Sequence, residues 1–115
     1  MQTLVNTHQV MFTTASWGNA RTFFYTSISA EADDIIFDHD LAWTQSQSNA
    51  GNQDSRPQAW AKNVFSIGGV RHQNNADPLD DSWSGSGSTG PASDNRIKPT
   101  LAAYYDNIGT TSQGG

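Results

Sequence analysis

The feature that most limits this chain is one amphipathic helix set between two β-prone runs. Ile28, Ala32, Ile35 and Ile36 fall at i, i+4, i+7 and i+8, one face of a 3.6-residue period, which predicts a helix from Ser27 to His39. Thr26 or Ser27 supplies an N-cap oxygen. Glu31, Asp33 and Asp34 sit in the first two turns as a solvated acidic face. Before the helix, Val10-Met11-Phe12-Thr13-Thr14 reads as a buried strand that ends in the turn Ala15-Ser16-Trp17-Gly18-Asn19. After it, Leu41-Ala42-Trp43-Thr44 reads as a second strand. Strand, helix, strand in about 35 residues is a βαβ unit, so the fold class is α/β with a mainly parallel sheet.

Residues 64–70, Val-Phe-Ser-Ile-Gly-Gly-Val, are nearly continuous in apolar character. That is the pattern of a parallel strand covered on both faces. Leu4, Val5 and His8 at helical spacing suggest that residues 1–9 are the tail of a preceding helix, and Leu101-Ala102-Ala103-Tyr104-Tyr105 is a further apolar segment. Residues 72–96 are dense in Asn, Asp, Ser and Gly, but Trp83 within them argues for an ordered surface loop rather than a linker. No internal repeat divides the 115 residues, which form one domain or part of one.

Composition excludes several classes of function. Six basic against eleven acidic residues give a net charge of −5, which argues against nucleic acid as a partner. No apolar run approaches the roughly 20 residues of a membrane span. The absence of cysteine removes disulfides and thiolate metal sites. Neutral polar side chains dominate instead: 13 Ser, 11 Thr, 9 Asn and 8 Gln. Residues 1–30 carry one charged side chain, Arg21, as expected of a stretch covered by other parts of a larger protein.

Parallel sheets bind ligands at the carboxyl ends of their strands, which directs attention to Ser16-Trp17-Gly18 and to Ser48-Asn49-Ala50-Gly51-Asn52. Asn52 is positioned to donate a side-chain hydrogen bond into a cleft, or else is a turn residue chosen for its backbone tolerance. Ser16-Trp17-Gly18 offers backbone for pairing with an extended peptide, or else is a core Trp with a turn Gly. His39, between Asp38 and Asp40, suits a helix C-terminus. His8 and His72 have no partner at metal or triad spacing. Asp77, Asp80 and Asp81 read as solvated loop charges before they read as a cation site. Gly68-Gly69 and Gly85-Ser86-Gly87 lack the pattern of a phosphate-binding loop.

Six motifs then occur in order: Ser16-Trp17-Gly18, Asp38-His39-Asp40, Ser48-Asn49-Ala50-Gly51-Asn52, Ala61-Lys62-Asn63-Val64, Ile67-Gly68-Gly69-Val70 and Arg96-Ile97-Lys98-Pro99. Together they resemble the subtilase family of serine peptidases, across nearly the whole chain. The resemblance implies part of a subtilisin-like three-layer α/β fold. Asn52 matches the oxyanion-hole Asn. Ser16, Trp17 and Gly18 match the strand end that borders the primary specificity pocket, and Ala50 and Gly51 match its opposite wall. Ser88-Thr89-Gly90-Pro91 with Arg96-Ile97-Lys98-Pro99 resembles the family's lead into the nucleophile segment, with Asn95 in place of the usual Gly and Thr100 in place of the usual Asp.

The same resemblance implies what the chain lacks. The family's catalytic Asp and its His-Gly-Thr helix are expected before Met1, and its Gly-Thr-Ser nucleophile after Gly115. Gly109-Thr110-Thr111-Ser112 is a near miss for the last. Residues 1–115 are thus expected to be a partial peptidase domain, the segment between the catalytic His and the catalytic Ser. Its partners would be a polypeptide substrate and the remainder of the same domain, in an extracellular or periplasmic setting. No cofactor is identifiable; calcium is common in the family, but no ligand set here matches. The alternatives are a non-catalytic peptide-binding module derived from the same fold, and an unrelated flavodoxin-like α/β domain with a small ligand at its strand ends.

Overall fold

The computed structural model describes residues 1–83 and 85–109. Its frame is one sheet of four parallel strands in the order β1 (Phe12–Ala15), β2 (Ala42–Ser46), β3 (Phe65–Val70) and β4 (Leu101–Tyr104). The fold is α/β. A short helix α1 (Gln2–His8) precedes β1, and α2 (Ser27–His39) crosses from β1 to β2. The connection from β2 to β3 passes through a 3₁₀ turn, Pro57–Trp60, and the described residues between β3 and β4 contain no helix. Thr110, Thr111 and Ser112, and with them the near miss for the nucleophile motif, lie outside the described residues.

Helix α2 starts where the sequence sets it. Thr26 is the N-cap, and its backbone N–H donates to Ser29 Oγ (3.1 Å). The same hydroxyl donates to the Pro57 carbonyl (2.6 Å), so the first turn of the helix is tied to the 3₁₀ turn. Asp40, in the left-handed region at φ 47°, ends the helix. Asp33 accepts from the backbone N–H groups of Lys62 and Asn63 (2.9 and 2.6 Å) and from the Tyr25 hydroxyl (2.9 Å). The acidic face read as solvated is therefore partly used to hold the chain that enters β3.

Alternation along the strands assigns the two faces of the sheet. Trp43 packs against the buried cluster of Ala32, Ala61 and Val64, so its face carries the core. By register, Thr13, Ala15, Gln45 and Ser66 share that face. The opposite face carries Phe12, Thr14, Thr44, Phe65, Ile67 and Leu101. Phe12 is 68 % exposed, Phe65 46 % and Leu101 60 %. This corrects two expectations: β1 is not buried, and β3 is covered on one face only among the described residues. The apolar runs report a wish for cover, and these residues supply it on one side.

The Gly68-Gly69 pair has a steric reason. A Cβ on Gly68 would stand 2.6 Å from Pro99 Cγ, where the loop descends into β4. Gly68 thus admits the Lys98-Pro99 corner against the sheet. No helix among the described residues is long and apolar enough to cross a membrane.

Candidate functional site

β1 and β2 are neighbours and parallel, so the turns that follow them lie at the same edge of the sheet. The chain leaving β2 is then clamped by the loop before β4. Ser88 N–H donates to the Ser48 carbonyl (2.8 Å), Gly51 N–H to the Ser86 carbonyl (3.0 Å) and Thr89 N–H to the Asn52 carbonyl (2.9 Å). The buried Ser88 hydroxyl accepts from Ala50 N–H (2.9 Å) and donates to the Asp54 carbonyl (2.6 Å). Gly51 has φ +69°, and a Cβ there would meet the Gly85 carbonyl oxygen at 2.6 Å, so both conformation and space require glycine.

Asn52 follows that Gly. Its Oδ1 accepts from the Asp54 N–H (2.8 Å), which fixes the plane of the amide. The exposed side chain leaves Nδ2 as a donor with no hydrogen bond among the described residues. The left-handed backbone positions in this turn are Ser48 and Gly51, not Asn52. Left-handed backbone tolerance therefore does not account for an Asn here; its Oδ1 closes an Asx-turn on the Asp54 N–H.

The Trp17 side chain is 77 % exposed, so it is no core residue. Its carbonyl accepts from the Nε2 of Gln45 (3.0 Å), a side chain buried in β2. This bond joins the end of β1 to the strand that leads toward Asn52, and no local motif announces it. A Cβ on Gly18 would lie 2.6 Å from Gln58 Oε1 and 3.1 Å from Arg56 Cβ, so the turn is packed closely against the segment beyond Asn52.

A groove of about 470 Å³ opens at this edge and runs onto the sheet, lined by Ser16, Gln45, Ser46, Asn49, Gly69 and Gly87 among others. Of the six site residues expected from sequence, Ser16 lines the groove. Trp17, Gly18, Ala50, Gly51 and Asn52 stand outside its lining, in the two turns that follow β1 and β2.

A second polar cluster occupies the ends of β3 and β4. His72, for which the sequence reading found no partner, faces Asp106 with Nδ1 2.8 Å from Oδ1; its backbone N–H donates to the same oxygen (2.9 Å). Burial acts to raise the Asp106 carboxyl, but the hydrogen bonds from His72 outweigh it and hold that carboxyl below its usual range. The ring stacks on Tyr104 at 5.0 Å, and the Tyr104 hydroxyl donates to Asp81 (2.8 Å), which raises the phenol. His72 Nε2 meets no hydroxyl among the described residues. Asp77 and Asp80 accept hydrogen bonds from Leu79 N–H and the Asn75 amide. Among the described residues no three His, Asp or Glu side chains gather as a metal site would require.

No protein-family model and no curated protein matches the chain.

Proposed function

We propose that this chain is the central part of the catalytic domain of a subtilisin-like serine endopeptidase. The single observation that carries the reading is the Asn52 amide. Its carbonyl oxygen is tied to Asp54 N–H, and its Nδ2 is left as an unpartnered donor beyond the carboxyl end of a parallel strand. The ordered motifs supply the family, and the strand-end turn Ser16-Trp17-Gly18 on the neighbouring strand supplies backbone for a substrate. Phe12, Phe65 and Leu101, exposed on one sheet face, support the idea that other parts of the same domain form a further layer there.

In the complete domain a Ser hydroxyl attacks a peptide carbonyl, a His takes its proton, and an Asp orients that His. Negative charge grows on the carbonyl oxygen. The Asn52 Nδ2–H would meet it together with a backbone N–H of the nucleophile. A neutral amide suits this role because it donates at any pH and is already oriented before the charge appears. The triad itself would come from the flanking segments, so residues 1–115 alone would not hydrolyse peptides.

The test is kinetic, on the full-length protein that contains this chain. Loss of one oxyanion-hole amide costs about 2.7–4 kcal/mol of transition-state stabilisation, a magnitude measured on subtilisin. Asn52→Ala should therefore lower kcat by about a hundredfold or more and leave KM nearly unchanged. An unaltered kcat removes Asn52 from the mechanism. Flanking sequence without an Asp, a His-Gly-Thr and a Gly-Thr-Ser removes the peptidase reading altogether and favours the non-catalytic peptide-binding module.

A further inference from the structure

Two arginines stand across from one another beside this edge of the sheet. Thr22 and Ser55 form an isolated antiparallel bridge, each donating its N–H to the other's carbonyl (2.8 and 3.1 Å). One step along that register sets Arg21 opposite Arg56. Like charges in opposed positions repel and destabilise the pairing. An intervening carboxylate would remove the penalty, but none does. Neither guanidinium has an ion-pair partner among the described residues, and that includes the nearby Asp54.

Each guanidinium is instead aimed by one backbone carbonyl. Arg21 Nη1 donates to the Asn49 carbonyl (3.3 Å), and Arg56 Nη1 donates to the Asn19 carbonyl (2.8 Å). Asn49 lines the groove, and Asn19 follows Trp17-Gly18 directly. One arginine thus reaches toward the turn after β2 and the other toward the turn after β1. Each fork has five N–H donors and spends one on the protein. The remainder are free to take a planar anion in the bidentate manner that suits guanidinium. In a chain of net charge −5, two unpaired cations on the same two turns as Trp17 and Asn52 are a local reversal of sign.

We infer that Arg21 and Arg56 form a clamp for a carboxylate, and that the site prefers polypeptides with a Glu or Asp side chain close to the bond that is cut. The inference rests on the peptidase reading for the word cut, and on the arginine geometry for the preference.

The test compares peptide pairs that differ only by Glu against Gln at each of the four positions preceding the scissile bond, with the full-length protein. At one position the Glu peptide should have kcat/KM higher by about tenfold or more, the factor a charge-assisted hydrogen bond supplies. That ratio should fall as salt is added and approach one in the double variant Arg21→Gln, Arg56→Gln. Cleavage of all peptides with a ratio near one overturns the clamp and leaves the peptidase reading standing. If no peptide is cleaved, the peptidase reading fails, and calorimetric titration of the same peptides decides the clamp. Tighter binding of a Glu peptide that the double variant loses sustains it, and equal binding of Glu and Gln peptides overturns it.

Discussion

The two faces of the sheet obey different rules. On the covered face the apolar core is small, with Ala32, Ala61 and Val64 as its centre, and much of the rest is polar and buried: Ser29, Gln45, Gln47, Ser66 and Lys98. Hydrogen bonds to backbone do much of the joining there, from Ser29 to Pro57, from Gln45 to Trp17 and from Lys98 to Val64. The other face holds Phe12, Phe65 and Leu101 and leaves much of each in water, while Trp43 is a large apolar strand side chain on the covered face. The lesson is that strand hydrophobicity and burial have come apart. Phe12, Phe65 and Leu101 are apolar strand residues whose cover these elements do not provide.

The sharpest way to break this contrast is to truncate one large side chain on each face. Trp60 is fully buried, and its Nε1 donates to the Thr22 carbonyl (2.7 Å). Trp60→Ala should cost about 3–5 kcal/mol, as deletion of a buried aromatic does. Phe12→Ala in the 115-residue chain should cost less than about 1 kcal/mol, because most of that ring is already in water. Urea denaturation measures both. In the full-length protein, on the proposal of a further layer, Phe12→Ala should become several-fold more costly. Equal costs for Phe12→Ala in the two settings would mean that nothing covers the face.

A smaller effect sharpens the same contrast among hydroxyls. Ser29 is fully buried and bonds at once to Thr26 N–H and the Pro57 carbonyl. Ser29→Ala leaves both without a partner and should cost about 1–3 kcal/mol. Thr14 lies on the bare face, exposed and without such bonds. Thr14→Ala should stay within about 0.5 kcal/mol. Comparable losses from the two variants would show that hydrogen bonding does not distinguish the faces.

The sequence was most legible where a period was long enough to count. The spacing of Ile28, Ala32, Ile35 and Ile36 marks α2 from Ser27 to His39, as found. β1, β2 and β3 appear within about two residues of their expected places, because β-branched and aromatic runs bounded by Gly and Asn leave little choice, whereas Leu101–Tyr104 showed only as an apolar segment. Exposure was not legible, since an apolar run is the same string whether or not a neighbour covers it. Buried amides were not legible either: nothing local says that Gln45 is buried and reaches Trp17. His72 finds Asp106, and Arg21 comes to stand opposite Arg56, only through the parallel register of β3 with β4 and the bridge from Thr22 to Ser55. Those pairings span 34 and 35 positions, beyond any motif. The reading of Asn52 came from family resemblance, and the geometry adds the orientation of its amide.

The covered face also holds a cation, which gives the contrast a pH signature. Lys98 is buried with Nζ on the Val64 carbonyl (2.7 Å). Desolvation, and after it the Arg96 charge, lower its pKa from 10.5 to about 8, with Asp33 acting the other way. A lysine whose folded pKa is depressed penalises the folded state while it is charged. The penalty is full below about pH 8 and is relieved as the pH rises toward 10.5, because the unfolded chain then binds more protons than the folded one. Tyr25 and Tyr104 have phenols raised above their ordinary range and are common to both proteins compared, so they do not enter the difference. Between pH 8 and 9.5 the stability of the wild-type chain should therefore rise relative to Lys98→Met, by about 1 kcal/mol at most once solvent screening is allowed for. The variant loses the bond to Val64, so its absolute stability is not the readout; the difference in slope is. Parallel pH profiles would mean that Lys98 reaches water, and that the covered face is less closed than its burial implies.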